Sequence, residues 1–389
     1  MKSNYKQLGR YIRPVDVRNR DLAVTRLLGV SIAKEFMPSI ANTVGTDMSS
    51  YKVVRKGQFA YGPVTSRNGD KISVALLREK ECIISQAYTA FEITDTNELD
   101  PEYLMLWFSR PEFDRYARFH SHGSVREIFG WDEMCRVELP VPDIIEQKEI
   151  VKNYSQIRKR LELLTEYDDT LKKLGISIVS SETEGTSIIV DEVEAANAIE
   201  AQRGQTIKQF CCKVTSGATP LRSNSDFWEK GTIPWLKSGE VENGICNEAA
   251  EHITELGLAK SSVHLLPEDS VLLAMYGGGT VGEIGYLASP STTNQAVCGM
   301  ICKTVDESAY LFFSLLQSQD SIRRQAHGGA QENLSKDFIE SLVLVTPKLR
   351  DISVLKLSRL IKQLKVNAKE RQLLSKLSRN IVGRIHQHA

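Results

Sequence analysis

The chain has 389 residues, of which 41% are apolar and 25% charged, and its formal net charge is zero. This composition is typical of a globular protein with room for two or three domains, and it excludes a largely disordered chain. No run of about 18 apolar residues occurs, which excludes a membrane-spanning helix, and no signal-peptide stretch follows Met1. Seven cysteines without a Cys-x-x-Cys pair predict free thiols in a cytoplasmic protein, rather than a disulfide framework or a zinc site.

The charge is distributed unevenly along the chain. Residues 348–389 contain 11 Lys or Arg and two acidic residues, whereas residues 176–206 contain one Arg and six acidic residues. Most DNA-binding domains are basic, because much of their affinity comes from contacts with phosphate. A neutral total is therefore unusual for a DNA-binding protein, but it does not make the surface neutral everywhere.

A series of features occurs twice in the same order, about 205 residues apart, which indicates an internal duplication. Each copy contains an apolar segment, a second apolar segment opened by Gln-Ala, an acidic loop, an aromatic-rich amphipathic helix, a glycine turn and a final strand ending in proline. Apart from the acidic loop, the first copy has these features at residues 56–62, 86–91, 103–108, 122–127 and 137–142. The second copy has the same five at residues 268–274, 295–300, 310–313, 327–332 and 342–347.

Each copy leads into a long helical segment with an apolar seam. The first seam, interrupted by Asp168, consists of Ile150, Tyr154, Ile157, Leu161, Leu164, Leu171 and Leu174. The second consists of Leu357, Leu360, Leu364, Leu374, Leu377, Ile381 and Ile385. Each helix could pack on its own domain, or the two helices could pair with each other. We favour pairing, because both helices have apolar seams and both follow equivalent domains. Between the copies, residues 177–187 have a loop composition and residues 191–203 predict a short acidic helix.

These elements predict an α+β fold with two duplicated mixed α/β domains, separated by two long helices that form an antiparallel coiled coil. The predicted boundaries are residues 1–142 for the first duplicated domain, 143–206 for the first long helix with its linker, 207–347 for the second duplicated domain and 348–389 for the C-terminal long helix. The paired helices would form a rod that holds the two domains apart.

Motifs that would indicate an enzyme are incomplete. Pro142-Asp143, followed by Glu146 and Lys148, imitates a metal-dependent nuclease, but these residues start the first long helix, where proline and acids are typical. Residues 277–282 are glycine-rich, yet no Gly-Lys-Ser/Thr follows. Neither a Gly-x-Ser-x-Gly turn nor the Asn/Asp-Pro-Pro-Tyr segment of amino-methyltransferases occurs. The sequence therefore predicts a binding protein without catalytic residues, cofactor or metal.

Polar loops at matching places in the two copies are the candidate DNA-binding sites. Arg pairs with guanine and Asn with adenine through two hydrogen bonds, while Lys suits phosphate. In the first copy the candidates are Arg67, Asn68, Lys71, Gln86 and Arg126. In the second copy they are Lys237, Ser238, Tyr276, Gln295, Gln331 and Asn333. Their recurrence at equivalent positions favours a binding surface over ordinary solvated turns.

This arrangement resembles the specificity subunit of type I restriction–modification enzymes over nearly the whole chain. The most telling match is Leu-Pro-Val-Pro at 139–142 followed by Glu-Gln-Lys at 146–148, which is similar to the beginning of that family's first conserved helix. Residues 234–241 and 272–277 also match. The second copy departs from the pattern, with Arg-Asp-Ile at 350–352 where Glu-Gln would be expected.

The resemblance implies a pseudo-twofold, non-catalytic subunit whose domains each bind half of a split, asymmetric site in double-stranded DNA. It implies that the helices fix the gap between the half-sites. Two methyltransferase (modification) subunits would dock on them and methylate adenine with S-adenosylmethionine, and motor-nuclease (restriction) subunits using ATP and Mg²⁺ would join for cleavage. None of these cofactors is expected on this chain.

Other functions are weighed against this one. A nuclease or methyltransferase with fused recognition domains would need a third domain, for which the chain has no room. A scaffold that binds proteins would favour acidic or apolar loops, whereas Arg67, Lys71, Arg126 and Lys237 are basic. A recognition subunit of another restriction or phage-defence system stays open as an alternative.

Overall fold

The protein is described here by a computed structural model that covers residues 5–39, 45–66, 68–123, 126–326, 333–346 and 351–385, with the backbone alone for residues 351–354. The chain divides into two compact units. Unit 1 comprises residues 1–161 and 374–389, and unit 2 comprises residues 162–373. Each unit is described by itself.

Unit 1 is built from short strands and helices. Its strands are β1 (Tyr5–Gln7), β2 (Ile12–Val15), β3 (Leu28–Val30), β4 (Phe36–Pro38), β5 (Lys52–Val54), β6 (Phe59–Tyr61), β7 (Val74–Leu76), β8 (Cys82–Ile84), β9 (Thr89–Ile93) and β10 (Glu138–Pro140). Its short helices are α1 (Pro101–Phe108), α2 (Pro111–Phe119) and α3 (Trp131–Arg136), with 3₁₀ turns at Leu8–Arg10 and Met48–Ser50.

The main sheet of unit 1 is antiparallel, with the strand order β2-β9-β6-β7. Phe59 and Phe91 on its two central strands stack with ring centroids 4.9 Å apart, and Phe108 of α1 meets both rings edge-on. The remaining strands form the pairs β1-β10, β3-β4 and β5-β8. Aromatic and β-branched residues occur at every second position of these short strands and therefore share one face. Packing of that face explains why the strands assemble around α1.

Unit 2 contains the remaining elements between the two long helices. Its strands are β11 (Ile188–Ile189), β12 (Gly204–Thr206), β13 (Lys213–Ser216), β14 (Ile233–Leu236), β15 (Gly244–Cys246), β16 (Glu251–Ile253), β17 (Val271–Ala274), β18 (Ile284–Leu287), β19 (Thr292–Thr293), β20 (Val297–Ile301) and β21 (Val343–Val345). Its short helices are α5 (Glu192–Glu200), α6 (Ile207–Phe210), α7 (Glu255–Ala259), α8 (Val305–Arg323) and α9 (Lys336–Ser341), with 3₁₀ turns at Ser225–Phe227 and Ser238–Glu240.

The duplication predicted from the sequence is confirmed by the sheets. Unit 2 has a main sheet of order β13-β20-β17-β18-β15, whose first four strands repeat the antiparallel order β2-β9-β6-β7 of unit 1. The final strand of each copy, β10 or β21, pairs antiparallel with the strand that opens it, β1 or β12. The short acidic helix predicted after residue 191 is also present as α5, capped by Asp191.

A buried tyrosine is repeated as well. Tyr103 of α1 donates a hydrogen bond from its hydroxyl to the carbonyl of Pro140, at 3.1 Å. Tyr310 of α8 makes the same bond to the carbonyl of Val345, at 2.6 Å. In both units, therefore, the aromatic-rich helix is tied to the strand that ends the copy.

The two long helices are α4 (Ile144–Glu182) and α10 (Asp351–Arg384). Asp143 caps α4, because its side chain accepts the backbone N–H groups of Ile145 (2.9 Å) and Glu146 (3.0 Å). The Pro-Asp pair that imitates a nuclease motif therefore begins a helix, as the sequence predicts.

The helices run antiparallel and pack on each other. In unit 2, Asp168 of α4 accepts a hydrogen bond from Asn367 of α10, while in unit 1 the early α4 residues Ile150 and Tyr154 share the core with Ile385, just after α10. Both helices also enter the main core of unit 2, to which Leu171 and Val179 of α4 and Leu357, Ile361 and Leu364 of α10 belong. The helices thus pair and pack on the domains as well.

The predicted seams are wrong in three places. Asp168 does not interrupt the first seam but lies in it, with 8% of its surface exposed. Leu174 and Leu377 are half exposed. After Leu171 the buried face advances by four residues to Gly175, which has no side chain and therefore leaves room for the ring of Phe313.

The loop predicted at residues 177–187 is also partly wrong. Helix α4 continues to Glu182 through a serine-rich sequence of low helix propensity. Val179 is fully buried in the core of unit 2, so burial outweighs local propensity here.

All seven cysteines are free thiols, and none of the described helices is both long and apolar enough to cross a membrane.

Candidate nucleic-acid interface

The predicted loops meet in the same way in both units. In unit 1 the loop between β6 and β7 pairs with the segment before α3, through the N–H of Phe129 to the carbonyl of Pro63 (2.8 Å) and a bridge of Val64 with Ile128. In unit 2 the loop between β17 and β18 pairs with the segment before α9, through the N–H of Leu334 to the carbonyl of Met275 (2.8 Å) and a bridge of Tyr276 with Asn333. Two loops that are distant in sequence therefore form one surface in each copy.

Unit 1 brings Asn68 and Arg126 to a common depression of about 280 Å³. Gly62 and Tyr88 form part of its wall, as does Ala87, the neighbour of the exposed Gln86. Arg126 is exposed and makes no hydrogen bond or ion pair within the described part of the chain. An amide and a free guanidinium at one depression supply the groups that hydrogen-bond to base edges or phosphate.

The other unit 1 candidates are placed differently. Lys71 is exposed but does not line the depression. It lies close enough to Lys34 for its charge to lower the pKa of that ammonium, although burial of Lys34 is the main cause. Lys34 pairs with Asp114 at 2.7 Å. Arg67 lies outside the residues that the structure describes.

Unit 2 joins its candidates through the backbone. Asn294, next to the exposed Gln295, donates its N–H to the carbonyl of Leu236, at 2.8 Å, which places Gln295 beside the strand end that carries Lys237 and Ser238. Ser238 is buried against Gly277, where an added Cβ would come within 2.8 Å of its hydroxyl. Ser238 thus supports the glycine loop rather than facing solvent. Tyr276 and Asn333 meet at the bridge described above. Gln331 lies outside the described residues.

A cluster that sequence reasoning missed lies beside Lys237. The carboxylate of Glu251 accepts hydrogen bonds from Lys237 (2.8 Å) and from Arg222. The guanidinium of Arg222 lies over the rings of Trp228 and Trp235, at 3.8 and 4.6 Å from their centroids. Glu251 stands directly opposite Trp235 in the β14-β16 pair, so the contact depends on strand register. No local motif in the sequence signals it.

The electrostatics of the cluster follow from these bonds. Hydrogen bonds from Arg222 and then Lys237 lower the pKa of Glu251 to about 2. The same contact with Glu251 raises the pKa of Lys237 above its ordinary value. Glu251 and Lys237 are therefore both charged at neutral pH, and one carboxylate is shared by two basic side chains.

Within the described ranges, no group of three or more His, Cys, Asp or Glu side chains could hold a metal ion. What the two surfaces offer is hydrogen-bond donors, acceptors and positive charge on loops supported by duplicated sheets. This arrangement can bind a polar, anionic surface.

The fold and these surfaces define a class: an α+β protein with duplicated target-recognition domains and two long antiparallel helices. Residues 205–376 match the family model of the type I restriction modification DNA specificity domain. The chain is 20% identical to the specificity subunit of the type I restriction enzyme HindI from Haemophilus influenzae, over 79% of this chain and 80% of that protein. It is 29% identical to the MjaIX specificity subunit from Methanocaldococcus jannaschii, over 26% of this chain and 23% of that protein.

The fold agrees with these relatives. A crystal structure of the S subunit of a type I restriction–modification system from M. genitalium superposes with a TM-score of 0.54 at 14% identity, covering 98% of this chain and 95% of that one. The resemblance predicted from the sequence is therefore confirmed: residues 205–376 match the model of that DNA specificity domain, and the chain is similar to a type I specificity subunit over most of its length.

Proposed function

We propose that this chain is the sequence-specific DNA-binding subunit of a type I restriction–modification complex in the cytoplasm and has no catalytic activity of its own. Each recognition domain binds one half of a bipartite, gapped site in double-stranded DNA. The long helices set the gap and dock two methyltransferase subunits. Motor-nuclease subunits join the same complex, and S-adenosylmethionine, ATP and Mg²⁺ bind to those partners rather than to this chain.

The observation that carries the proposal is the repeated junction of two loops. A hairpin loop of the main sheet and the segment before α3 or α9 are joined by equivalent hydrogen bonds in both units. The side chains at the two junctions differ: Asn68 and Arg126 in one unit, Tyr276 and Asn333 in the other. Equal scaffolds with unequal side chains are suited to two half-sites of different sequence.

The duplication also supports the assignment of domains. Residues 1–142 and 207–347 would be the recognition domains, with residues 143–206 and 348–389 supplying the helices and the linker. Within the first domain Arg67, Asn68, Lys71, Gln86 and Arg126 would face DNA. Within the second, Lys237, Tyr276, Gln295, Gln331 and Asn333 would do so, with Ser238 supporting the glycine loop.

The proposal is tested by co-expressing the chain with its cognate modification subunit and sequencing host DNA for N6-methyladenine. The expected result is one split motif with two short specific halves and a fixed gap. Arg126→Ala should change only one half of the motif, and Asn333→Ala only the other half. Each variant controls for the other, because the two residues lie in different units.

An assembled, soluble complex that leaves the DNA unmethylated would contradict the proposal, and so would a continuous motif without a gap. If both variants altered the same half, the assignment of one half-site to each unit would be wrong. If DNA were methylated without the modification subunit, the proposal that this chain has no catalytic activity would be wrong.

A further inference from the structure

Arg222 is held in place before any ligand arrives. Its guanidinium lies over the rings of Trp228 and Trp235, which meet at 90° with centroids 5.1 Å apart, and it donates a hydrogen bond to Glu251. Free arginine side chains lose much rotamer freedom on binding, so an arginine already held by two rings and an ion pair loses less when it meets a partner. The arrangement therefore restrains the guanidinium.

The loop that carries Arg222 is fixed by the same two tryptophans. The indole N–H of Trp235 donates to the carbonyl of Ala218 (2.9 Å), and that of Trp228 donates to the carbonyl of Leu221 (3.2 Å). At Gly217 the loop passes so close to Thr293 that an added Cβ would lie 2.2 Å from its carbonyl oxygen. The rings thus hold both the backbone and the side chain of this loop.

Part of the guanidinium stays available. Only Nη1 of Arg222 has a hydrogen-bond partner among the described residues, and half of the side chain is exposed. Nε and Nη2 are left as donors. Glu251 neutralises one of its two cationic neighbours, so the cluster keeps a net positive charge next to the predicted residue Lys237.

We propose that Arg222 binds a guanine in the half-site recognised by unit 2, with Glu251 as the residue that positions it. Two donors in one fixed plane match the O6 and N7 acceptors of guanine in the major groove, which is the most frequent specific contact of arginine with DNA. The flexible ammonium of Lys237 suits a phosphate instead. This inference rests on the proposed function.

The first test is the methylation motif. Complexes with Arg222→Lys, Glu251→Gln and the control Arg324→Lys are compared with the unsubstituted complex; Arg324 is the exposed C-cap residue that follows helix α8. We expect the unsubstituted motif to contain a G·C pair in the half that Asn333→Ala alters. Arg222→Lys and Glu251→Gln should relax the choice of base at one such pair and leave the other half unchanged, whereas Arg324→Lys should change neither half.

The second test measures binding of the purified complex to duplexes that carry the motif, with that guanine intact or replaced by 7-deazaguanine. Removing N7 should weaken binding of the unsubstituted complex on the order of tenfold. Removing N7 should have little effect on binding by the Arg222→Ala complex, because that complex lacks the guanidinium that would donate to N7. Thermal melting of each variant shows whether it is folded.

The outcomes separate the two hypotheses. If the unsubstituted complex yields no split motif, the proposed function fails and the inference with it. If it yields one but Arg222→Lys gives the same motif, or 7-deazaguanine weakens both complexes equally, the inference alone is wrong. If Arg222→Lys lowered affinity equally for all DNA sequences, and reduced the salt dependence by about one phosphate, Arg222 would be a phosphate contact. That result would also overturn the inference.

Discussion

Arg110 is a buried cation without a hydrogen bond among the described residues. Its side chain is 7% exposed, its Nε has no partner, and the nearest carboxylate oxygen, on Glu112, is 3.5 Å away. The guanidinium lies 4.1 Å from the ring centroid of Trp107. Burial lowers the pKa of Arg110 below its ordinary 12.5, which means that the folded protein disfavours the charge.

Arg110→Met should therefore leave the protein as stable or make it more stable, by on the order of 1 kcal/mol. A buried charge without good partners costs more than a methionine of similar volume, and the contact with Trp107 offsets only part of that cost. Urea unfolding measures the difference, with Arg115→Met, at the exposed side of the same helix, as the control. A loss of more than about 1 kcal/mol would show that the cation–π contact dominates.

Gln147, in the second turn of α4, ties this helix to the recognition domain of unit 1. Its side-chain oxygen accepts a hydrogen bond from the backbone N–H of Asp100 (2.8 Å). Its side-chain NH₂ group donates to the backbone carbonyls of Glu98 (2.9 Å) and Pro142 (2.8 Å). The side chain is fully buried. This glutamine belongs to the Glu-Gln-Lys motif on which the family resemblance rests, and its contacts give that motif a structural reason.

Gln147→Leu should lower the free energy of unfolding by about 2–3 kcal/mol, because it leaves three backbone groups without partners in a buried site. Gln156→Leu, at an exposed position of the same helix, should change it by less than about 0.5 kcal/mol. Equal effects of the two substitutions in chemical denaturation would show that the buried hydrogen bonds contribute nothing.

At this scale the sequence predicts residues whose role is local. Asp143 is recognisable as a helix start from its neighbours, and Lys237 from its place after a strand. Glu251 is not, because it reaches Arg222 only through the pairing of β14 with β16. Ser238 was predicted to bind DNA from its sequence position, but its burial depends on a glycine loop 39 residues further along.

Among the elements, the helix pair contains one polar layer. Within unit 2, Asp168 of α4 accepts a hydrogen bond from Asn367 (2.7 Å) and another from Arg371 of α10. Asp168 and Asn367 are 8% and 2% exposed, and apolar residues such as Leu164, Leu171 and Leu364 lie in the neighbouring layers. A buried polar layer in an apolar seam disfavours other registers, because a shift would leave a charge unpaired.

Asp168→Ala should destabilise unit 2 by about 2–3 kcal/mol, which is below the range for fully buried pairs because Arg371 is partly exposed. Replacing all three residues with leucine should restore most of this loss, since an apolar layer needs no partner. Asp169→Ala removes an exposed pair with Lys172 and should cost less than about 1 kcal/mol. If the triple variant were less stable than Asp168→Ala, the layer would contribute through its hydrogen bonds rather than through register.

Element positions follow from the sequence where one pattern dominates. The apolar segments at 56–62 and 86–91 overlap the strands β6 and β9, and both long helices are present. The phase of the first seam could not be predicted beyond Leu171, because Leu174 and Gly175 both lie near the seam at 3.6 residues per turn. The ring of Phe313, more than a hundred residues away, packs where a side chain at position 175 would lie, so the buried position is Gly175 rather than Leu174. The helical state of residues 177–182 depends in the same way on burial of Val179 in a tertiary core.

In the whole molecule, positive charge is concentrated in a helix rather than at the candidate DNA surfaces. The described surfaces carry Arg126 and Lys71 in unit 1 and Arg222 and Lys237 in unit 2, and Glu251 offsets one of the latter pair. Exposed cations of α10 include Lys356, Arg359, Lys362, Lys369, Lys376 and Arg379. The net charge of the chain is zero. This distribution predicts few phosphate contacts through the candidate surfaces alone.

Binding of the isolated chain to its DNA site should therefore depend weakly on salt. For duplex DNA the logarithm of the binding constant falls by about 0.9 per neutralised phosphate for each tenfold rise in salt. Five cations, Arg67 included, with one shared anion predict a slope no steeper than about −4, whereas the complex with two modification subunits should show a steeper slope through the phosphate contacts of those subunits. Fluorescence anisotropy of a duplex carrying the methylated motif, measured between roughly 50 and 200 mM KCl, determines both slopes. A duplex with scrambled half-sites controls for nonspecific binding. If the isolated chain had the full slope of the complex, it would supply the phosphate contacts itself, and the cations of α10 would be the first to substitute.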